Sequence, residues 1–244
     1  MPQELKKQLN RLSVFAGWLP LALPYSIARL AGASWHAQAH LSPPSPTPLI
    51  AFVKLSSITL ETKTKKRFPR FSFVWRGNWD VEQTRKRCTI AGPCHEESPF
   101  RQDFETIRNL CRDNLPLDQI EEYHVVMAAL EAGGNPRGCK SQAEVGDYFT
   151  ALEKTNHSIA TEGYKTSREL GGMVRDEISV WITRDGQLAY GGWANHRLAI
   201  ADLHQIERVP VSILGSHPDW LIEQCRLNSL PPHLALMRWV ETLR

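Results

Sequence analysis

The spacing of hydrophobic positions changes twice along the chain. Between residues 100 and 162 apolar residues recur every three or four places. Phe100, Phe104, Ile107 and Cys111 form one such series, and Ile120, Tyr123, Met127 and Leu130 form a second that stops at Gly133-Gly134. Val145, Tyr148, Phe149, Leu152 and Ile159 form a third that stops at Gly163. This period predicts three amphipathic helices. After residue 177 the period becomes two, with Ile178, Val180 and Ile182 alternating with Ser179, Trp181 and Thr183. Asp185-Gly186 then predicts a hairpin turn into a second strand, Gln187 to Tyr190. The glycine-containing loop Gly191-Gly192-Trp193-Ala194-Asn195 leads into a helix over HRLAIADLHQI, with Leu198, Ala199, Ala201 and Leu203 as its packing residues, and Val209 to Leu214 predicts a closing strand.

The N-terminal part is organised differently. Leu12 to Ala28 carries no formal charge and follows Lys6, Lys7 and Arg11, but Pro20 and Pro24 interrupt it and Arg29 closes it. A spanning helix is not expected there; an interfacial membrane hairpin, a docking segment or a mispredicted start is. The small-residue triplet Ala37-Gln38-Ala39 faintly resembles a signal cleavage site, and Leu41 to Pro48 has the Ser/Pro composition of a linker. Leu49 to Leu60 is rich in apolar and β-branched residues and predicts an opening strand or two short ones. Gly77-Asn78 supplies turn chemistry between Trp75 and Trp79. No internal repeat is visible.

Composition narrows the class. The chain has 244 residues, 42% hydrophobic and 23% charged. That excludes a wholly disordered, collagen-like or disulfide-scaffold protein and leaves a globular chain able to bury a core. The net charge of +3 conceals an uneven distribution. From Lys54 to Arg87 ten Lys or Arg stand against three acids (Glu61, Asp80, Glu82), and from Glu96 to Glu131 nine acids stand against three Arg. The two blocks imply an anion-binding face, segments that pack on one another, or a solvated surface. The five Cys are irregularly spaced, as in a reducing, cytoplasmic setting. Only Cys88, Cys94 and His95 have the look of metal ligands, and they lack a second close pair, so no metal site is predicted.

The candidate chemistry lies where the glycine loop meets its helix. Free backbone N–H groups and the positive end of the helix dipole converge there on any anion. Asn195, His196 and Arg197 open that helix. Arg offers a bidentate fork to phosphate, His a donor, and Asn a cap or a ligand contact. The same residues also suit a plain helix cap and a structural ion pair.

From Leu152 to Leu214 the chain resembles the ParB/sulfiredoxin superfamily. The matching parts are LEKTNHSIATEGY, EISVWITRDGQLAY, GGWANHR, LAIADLHQI and VPVSIL, with Val53 to Ile58 similar to the opening strand. Gly163 to Thr166, the Trp-Asp turn, and His217 with Trp220 resemble segments of bacterial and phage ParB-like proteins. The resemblance implies an α+β fold, a small mixed sheet with flanking helices. It divides the chain into 1–48, a domain over 49–220 with a helical insertion at about 100–162, and a C-terminal helical tail over 221–244.

The resemblance also sorts the activities. Where sulfiredoxins carry their reactive Cys this chain has Asn195, which removes that chemistry. Too few residues follow Leu214 for the DNA reader of chromosome-partition proteins. In the matched stretch Asp185 falls in a hairpin turn and Asp202 on the helix, and nothing in their spacing makes the two-metal site of a nuclease. What remains is a nucleotide or other phosphorylated ligand bound by Gly191, Gly192, Asn195, His196, Arg197 and His217. If there is turnover, it is expected to be phosphotransferase or NTPase chemistry, with a nucleoside triphosphate and Mg²⁺, His196, and Asp80 or Glu61 as base. Trp193 is a stacking residue, a core residue or a lid. Substitution of Arg197 is expected to abolish binding and leave the melt nearly unchanged. Two alternatives are DNA binding through residues 54–87 and a non-catalytic interaction protein. Nucleic acid, or a membrane surface met through residues 1–32, are the corresponding partners.

Overall fold

The computed structural model describes residues 49–63, 74–173 and 176–243. The N-terminal apolar segment, the Ser/Pro linker, and four of the ten basic-block cations (Lys65, Lys66, Arg67, Arg70) lie outside the described residues.

The fold is mixed α and β, with a six-stranded sheet and seven α-helices among the described residues. The strands are β1 (Leu49–Lys54), β2 (Ile58–Thr62), β3 (Thr84–Lys86), β4 (Ile178–Ile182), β5 (Leu188–Tyr190) and β6 (Arg208–Ser216), in the order β1-β6-β4-β5-β2-β3. β6 runs parallel to β4 and β2 parallel to β5; the other pairs are antiparallel. The helices are α1 (Trp79–Glu82), α2 (Arg101–Ile107), α3 (Glu121–Glu131), α4 (Gln142–Glu162), α5 (Asn195–Leu203), α6 (Pro218–Asn228) and α7 (Pro232–Thr242). No described helix is long and apolar enough to cross a membrane.

Local chemistry sets several boundaries. The Ser141 hydroxyl accepts from the Glu144 N–H at 3.2 Å and starts α4, while the Glu144 carboxylate reaches back to the Lys140 N–H at 2.7 Å. Gly163, at φ 78°, ends that helix. The β4–β5 hairpin turns at Gly186, φ 80°, where a side chain would be strained. Every residue of β4 is buried: Ile178, Val180 and Ile182 face the main core, and Trp181 faces a smaller cluster with Trp79 and Ala189. Trp75 stacks on Trp79 with ring centroids 4.3 Å apart and interplanar angle 8°.

Two expectations are adjusted. The inward face of α3 is centred on Glu122 and Val126, with Tyr123 and Met127 at its margin, because a carboxylate rather than an apolar residue faces the interior. The C-terminal stretch expected as a tail packs into the main core through Leu221, Leu236 and Val240. Residues 100–162 also supply core side chains, Phe100, Phe104, Phe149 and Leu152 among them. The sheet's last strand, β3, falls inside the basic block, where Arg85 stands opposite Glu61 of β2.

Candidate site at the start of helix α5

The polypeptide reaches α5 through two glycines with distinct roles. At Gly191 a Cβ would lie 2.8 Å from Leu214 Cδ1 and 3.0 Å from Ser179 Oγ, so the close approach of loop and sheet excludes a side chain. Gly192 takes φ 97°. Ala194 follows in the left-handed conformation, φ 59°, and offers no side-chain acceptor to the first-turn N–H groups of α5. Ser179 Oγ accepts from the Trp193 N–H at 3.2 Å, and the Trp193 side chain is exposed.

The three residues that open the helix are drawn inward. The Asn195 amide donates to Asp103 Oδ2 at 2.6 Å, and its Oδ1 accepts from the Tyr190 hydroxyl. His196 Nε2 lies 3.4 Å from Glu122 Oε2 and 3.5 Å from Asp103 Oδ1. Arg137 closes this cluster from outside, with Nη2 2.8 Å from Asp103 Oδ1 and Nε 2.7 Å from Glu122 Oε1. Thr106 donates to Glu122 Oε2 at 2.7 Å, and the Tyr148 hydroxyl to Oε1 at 3.3 Å. Burial pushes Glu122 up, but the His196 bond and charge, the Thr106 hydroxyl and the Arg137 guanidinium together outweigh it and hold the carboxyl at about 2. Burial, with Glu122 beside it, pushes the Tyr148 phenol well above its ordinary value.

Asp103, Glu122 and His196 present one ligand atom each within 4.8 Å of one another, the spacing of a metal site. Their lone pairs are already engaged by Arg137, Asn195, Thr106 and Tyr148, so a divalent cation would have to displace the guanidinium. The cluster fits an internal ion network better than a metal centre.

Arg197 faces away from this cluster and is committed to the segment after α4. Its Nη1 donates to Ser167 Oγ at 2.6 Å, its Nη2 donates to the Lys165 carbonyl, and Glu177 Oε2 lies 3.5 Å from Nη1. The guanidinium carbon stands 4.4 Å from the centre of the Tyr164 ring. Two buried polar atoms remain without a hydrogen-bond partner here: Arg197 Nε and the Tyr164 hydroxyl oxygen. Burial pushes the Tyr164 phenol up, so the hydroxyl keeps its proton.

Asp80 and His217 sit at the other end of β4. Gly191 bonds to Ser179 through its N–H at 2.7 Å, whereas His217 bonds to Ile182 at 2.8 Å. Those two β4 residues are about 10 Å apart along an extended strand. The structure therefore separates His217 and Asp80 from the glycine loop, because β6 runs parallel to β4 and ends at its far edge. Asp80 takes Arg184 through Nε and Nη2, both at 2.8 Å, and the Arg184 N–H at 2.9 Å. Burial raises the Asp80 carboxyl, but the Arg184 bonds and charge prevail and lower it. His217 donates through Nε2 to the Gly77 carbonyl at 2.9 Å and accepts the Asp219 N–H on Nδ1 at 3.2 Å, which makes it a helix cap.

Glu61 stands nearer the α5 start, opposite Tyr190 in the β2–β5 register. It is fully buried, its Oε2 accepts the Cys88 N–H at 3.0 Å, and its Oε1 has no partner. Burial, only partly offset by hydrogen bonds from Ser98 and Cys88 and by nearby Arg85 and Arg87, raises its carboxyl.

Within the described part of the basic block, Arg87 is buried against the Ile58 and Cys88 carbonyls and Asp202. Arg85 pairs with Glu97 at 3.6 Å. These two cations serve contacts between segments of the chain. Sequence reasoning missed Asp103, Glu122, Arg137, Tyr148 and Tyr164. Asp103 left a signal, since it lies three residues after Phe100 and four before Ile107, on the apolar face of its helix. No family model, curated protein or solved structure matches the chain.

Proposed function

We propose that the chain binds a nucleotide or another phosphorylated small molecule at the start of α5, on a ParB/sulfiredoxin-like form of the mixed sheet. The carrying observation is the pair of buried, unpartnered atoms beside that helix start, Arg197 Nε and the Tyr164 hydroxyl. A buried donor without an acceptor costs about 1 to 3 kcal/mol, and an anion accepting from both would remove that cost. The first turn of α5, without a side-chain cap, adds backbone N–H groups and a favourable dipole. In this reading Arg197 contributes its Nε edge, while its outer nitrogens hold Lys165, Ser167 and Glu177. Trp193, exposed beside the loop, offers a face to a base. Asp80 and His217 have no part in the site, and Glu61 is the acid at this end of the sheet. The five unpaired cysteines agree with a cytoplasmic location.

Thermal unfolding of the full chain with each ribonucleoside triphosphate, with inorganic phosphate, and with and without Mg²⁺ tests this. Ligand at one hundred times its Kd stabilises a native state by about 2.7 kcal/mol, which moves the melt by several degrees. At least one phosphorylated ligand is expected to do so, and Asp80→Asn to respond to it as the parent does. No shift with any of them overturns the proposal.

A further inference from the structure

The two faces of the sheet are covered unequally. Helices α2 to α7 all send side chains into the main core, where they meet Ala51, Val53, Val180 and Val211 of the strands. On the opposite face the smaller cluster of Trp181, Ala189, Leu60 and Leu214 receives, among the described residues, only Trp75 and Trp79 from outside the strands. No residue of β1 belongs to that cluster. Alternation with the buried Ala51 and Val53 turns Ile50 and Phe52 to the thinly covered face. Phe52 is 43% exposed there, and a groove of about 560 Å³ runs beside it, lined by Ile50, Ala51, Phe52 and Arg208.

The groove lies at the end of the sheet, since β1 pairs with β6 alone among the described strands. Phe52 stands opposite Pro210, which has no N–H to exchange, and Leu55 gives its N–H to the Glu207 carbonyl at 2.9 Å. The odd-numbered residues of β1 therefore hold the ladder, and the backbone groups of Ile50, Phe52 and Lys54 face outward. Two of those outward carbonyls are already taken, Phe52 by Arg208 Nη2 at 2.8 Å and Lys54 by the Ser57 hydroxyl at 2.6 Å. Side chains placed over an edge in this way oppose the addition of another strand. What the groove offers is an apolar surface, with Lys54 and Arg208 as the cations beside it.

We infer that this groove is the docking surface for the chain's own residues 12–28. Their composition fits it, because Leu12 to Ala28 carries no formal charge and includes Phe15, Trp18, Leu19, Leu21 and Leu23. Residues 64–73 fit less well, since Lys65, Lys66, Arg67 and Arg70 would stand against Lys54 and Arg208. Reach is ample. The intervening residues, 29–48, end at the first residue of β1, and at about 3.3 Å per residue they span on the order of 65 Å, against about 24 Å across six strands. A tethered segment also meets the groove at an effective concentration that a second copy of the chain does not match. The contact uses no residue of the phosphate site, so either proposal can fail without the other.

Hydrogen exchange of the full-length chain, read by mass spectrometry, tests the contact through the backbone amides of 12–28. They are expected to exchange about tenfold or more slower in the parent than in Phe52→Glu, which sets a carboxylate in the groove. The amides of β4 are expected to exchange alike in both, showing that the fold persists. Leu21→Glu disrupts the same contact from the segment's side, and it decides the matter if Phe52→Glu does not fold. Protection in the parent is expected to be independent of protein concentration and of added phosphatidylcholine/phosphatidylserine vesicles. Three results overturn the proposal: equally fast exchange of 12–28 in the parent and the variants, protection that appears only at high concentration with a doubled mass, or protection that appears only with vesicles.

Discussion

The Asn195 side chain donates to Asp103 across 2.6 Å, and that bond turns the opening of α5 toward the interior. Asp103 is fully buried on α2 and also takes Arg137, so the helix start, α2 and the turn before α4 are joined through one carboxylate. Asn195 accepts the Tyr190 hydroxyl at the same time. Its polar groups are spent on the fold, so in the proposed phosphate site the anion's partners are backbone N–H groups and the Tyr164–Arg197 pair.

Arg197→Ala is expected to lower stability, in contrast to what the sequence suggests. It leaves Ser167 and Glu177 without their cation, uncovers the Tyr164 ring, and releases the Lys165 carbonyl. A loss of about 2 to 4 kcal/mol follows from removing one partner of a buried charged pair. Urea unfolding measures it; an unchanged midpoint would show that the guanidinium carries no structural role.

Glu122 gives the fold an acid-sensitive term. Its carboxyl is held at about 2 in the folded chain against an ordinary 4.5, so its contribution is complete above about 4.5 and is lost as pH falls toward 2. Glu122→Gln is therefore expected to be clearly less stable than the parent near neutrality, with the difference narrowing below pH 4.5. Denaturant midpoints across that range check the sign. A difference independent of pH contradicts the ionised state of Glu122.

Glu61 has the opposite sign. Its carboxyl is raised, so the folded state is favoured while the group is protonated and loses stability as pH rises above 4.5 toward the folded value. Glu61→Gln keeps an acceptor for the Cys88 N–H and removes the charge. The variant is expected to melt higher than the parent at pH 7 and to converge with it in acid. A lower melt at pH 7 would mean that the charge is compensated by a partner.

The legible parts of the fold are those fixed by local chemistry. The alternation in β4, the Asp185-Gly186 turn, the Gly163 stop and the apolar face of α4 depend on near neighbours in sequence, and they stand where their patterns predict. Partnering over long separations left weaker traces. Asp103 and Asn195 are 92 residues apart, and nothing local reports that they meet. The placement of His217 followed the wrong end of the sheet, because strand direction is a property of the topology and not of the segment. Arg197 has the look of a phosphate fork in sequence, yet its outer nitrogens serve Lys165 and Ser167, 32 and 30 residues away.

Isothermal titration of the parent chain and of Tyr164→Phe with the nucleotide that most raises the melt tests the phosphate site most directly. The substitution keeps the ring on Arg197 and removes only the unpartnered hydroxyl. A Kd weaker by about tenfold or more is expected, the worth of one hydrogen bond to a charged group, with an unliganded melt equal to or above that of the parent. An unaltered Kd would contradict it.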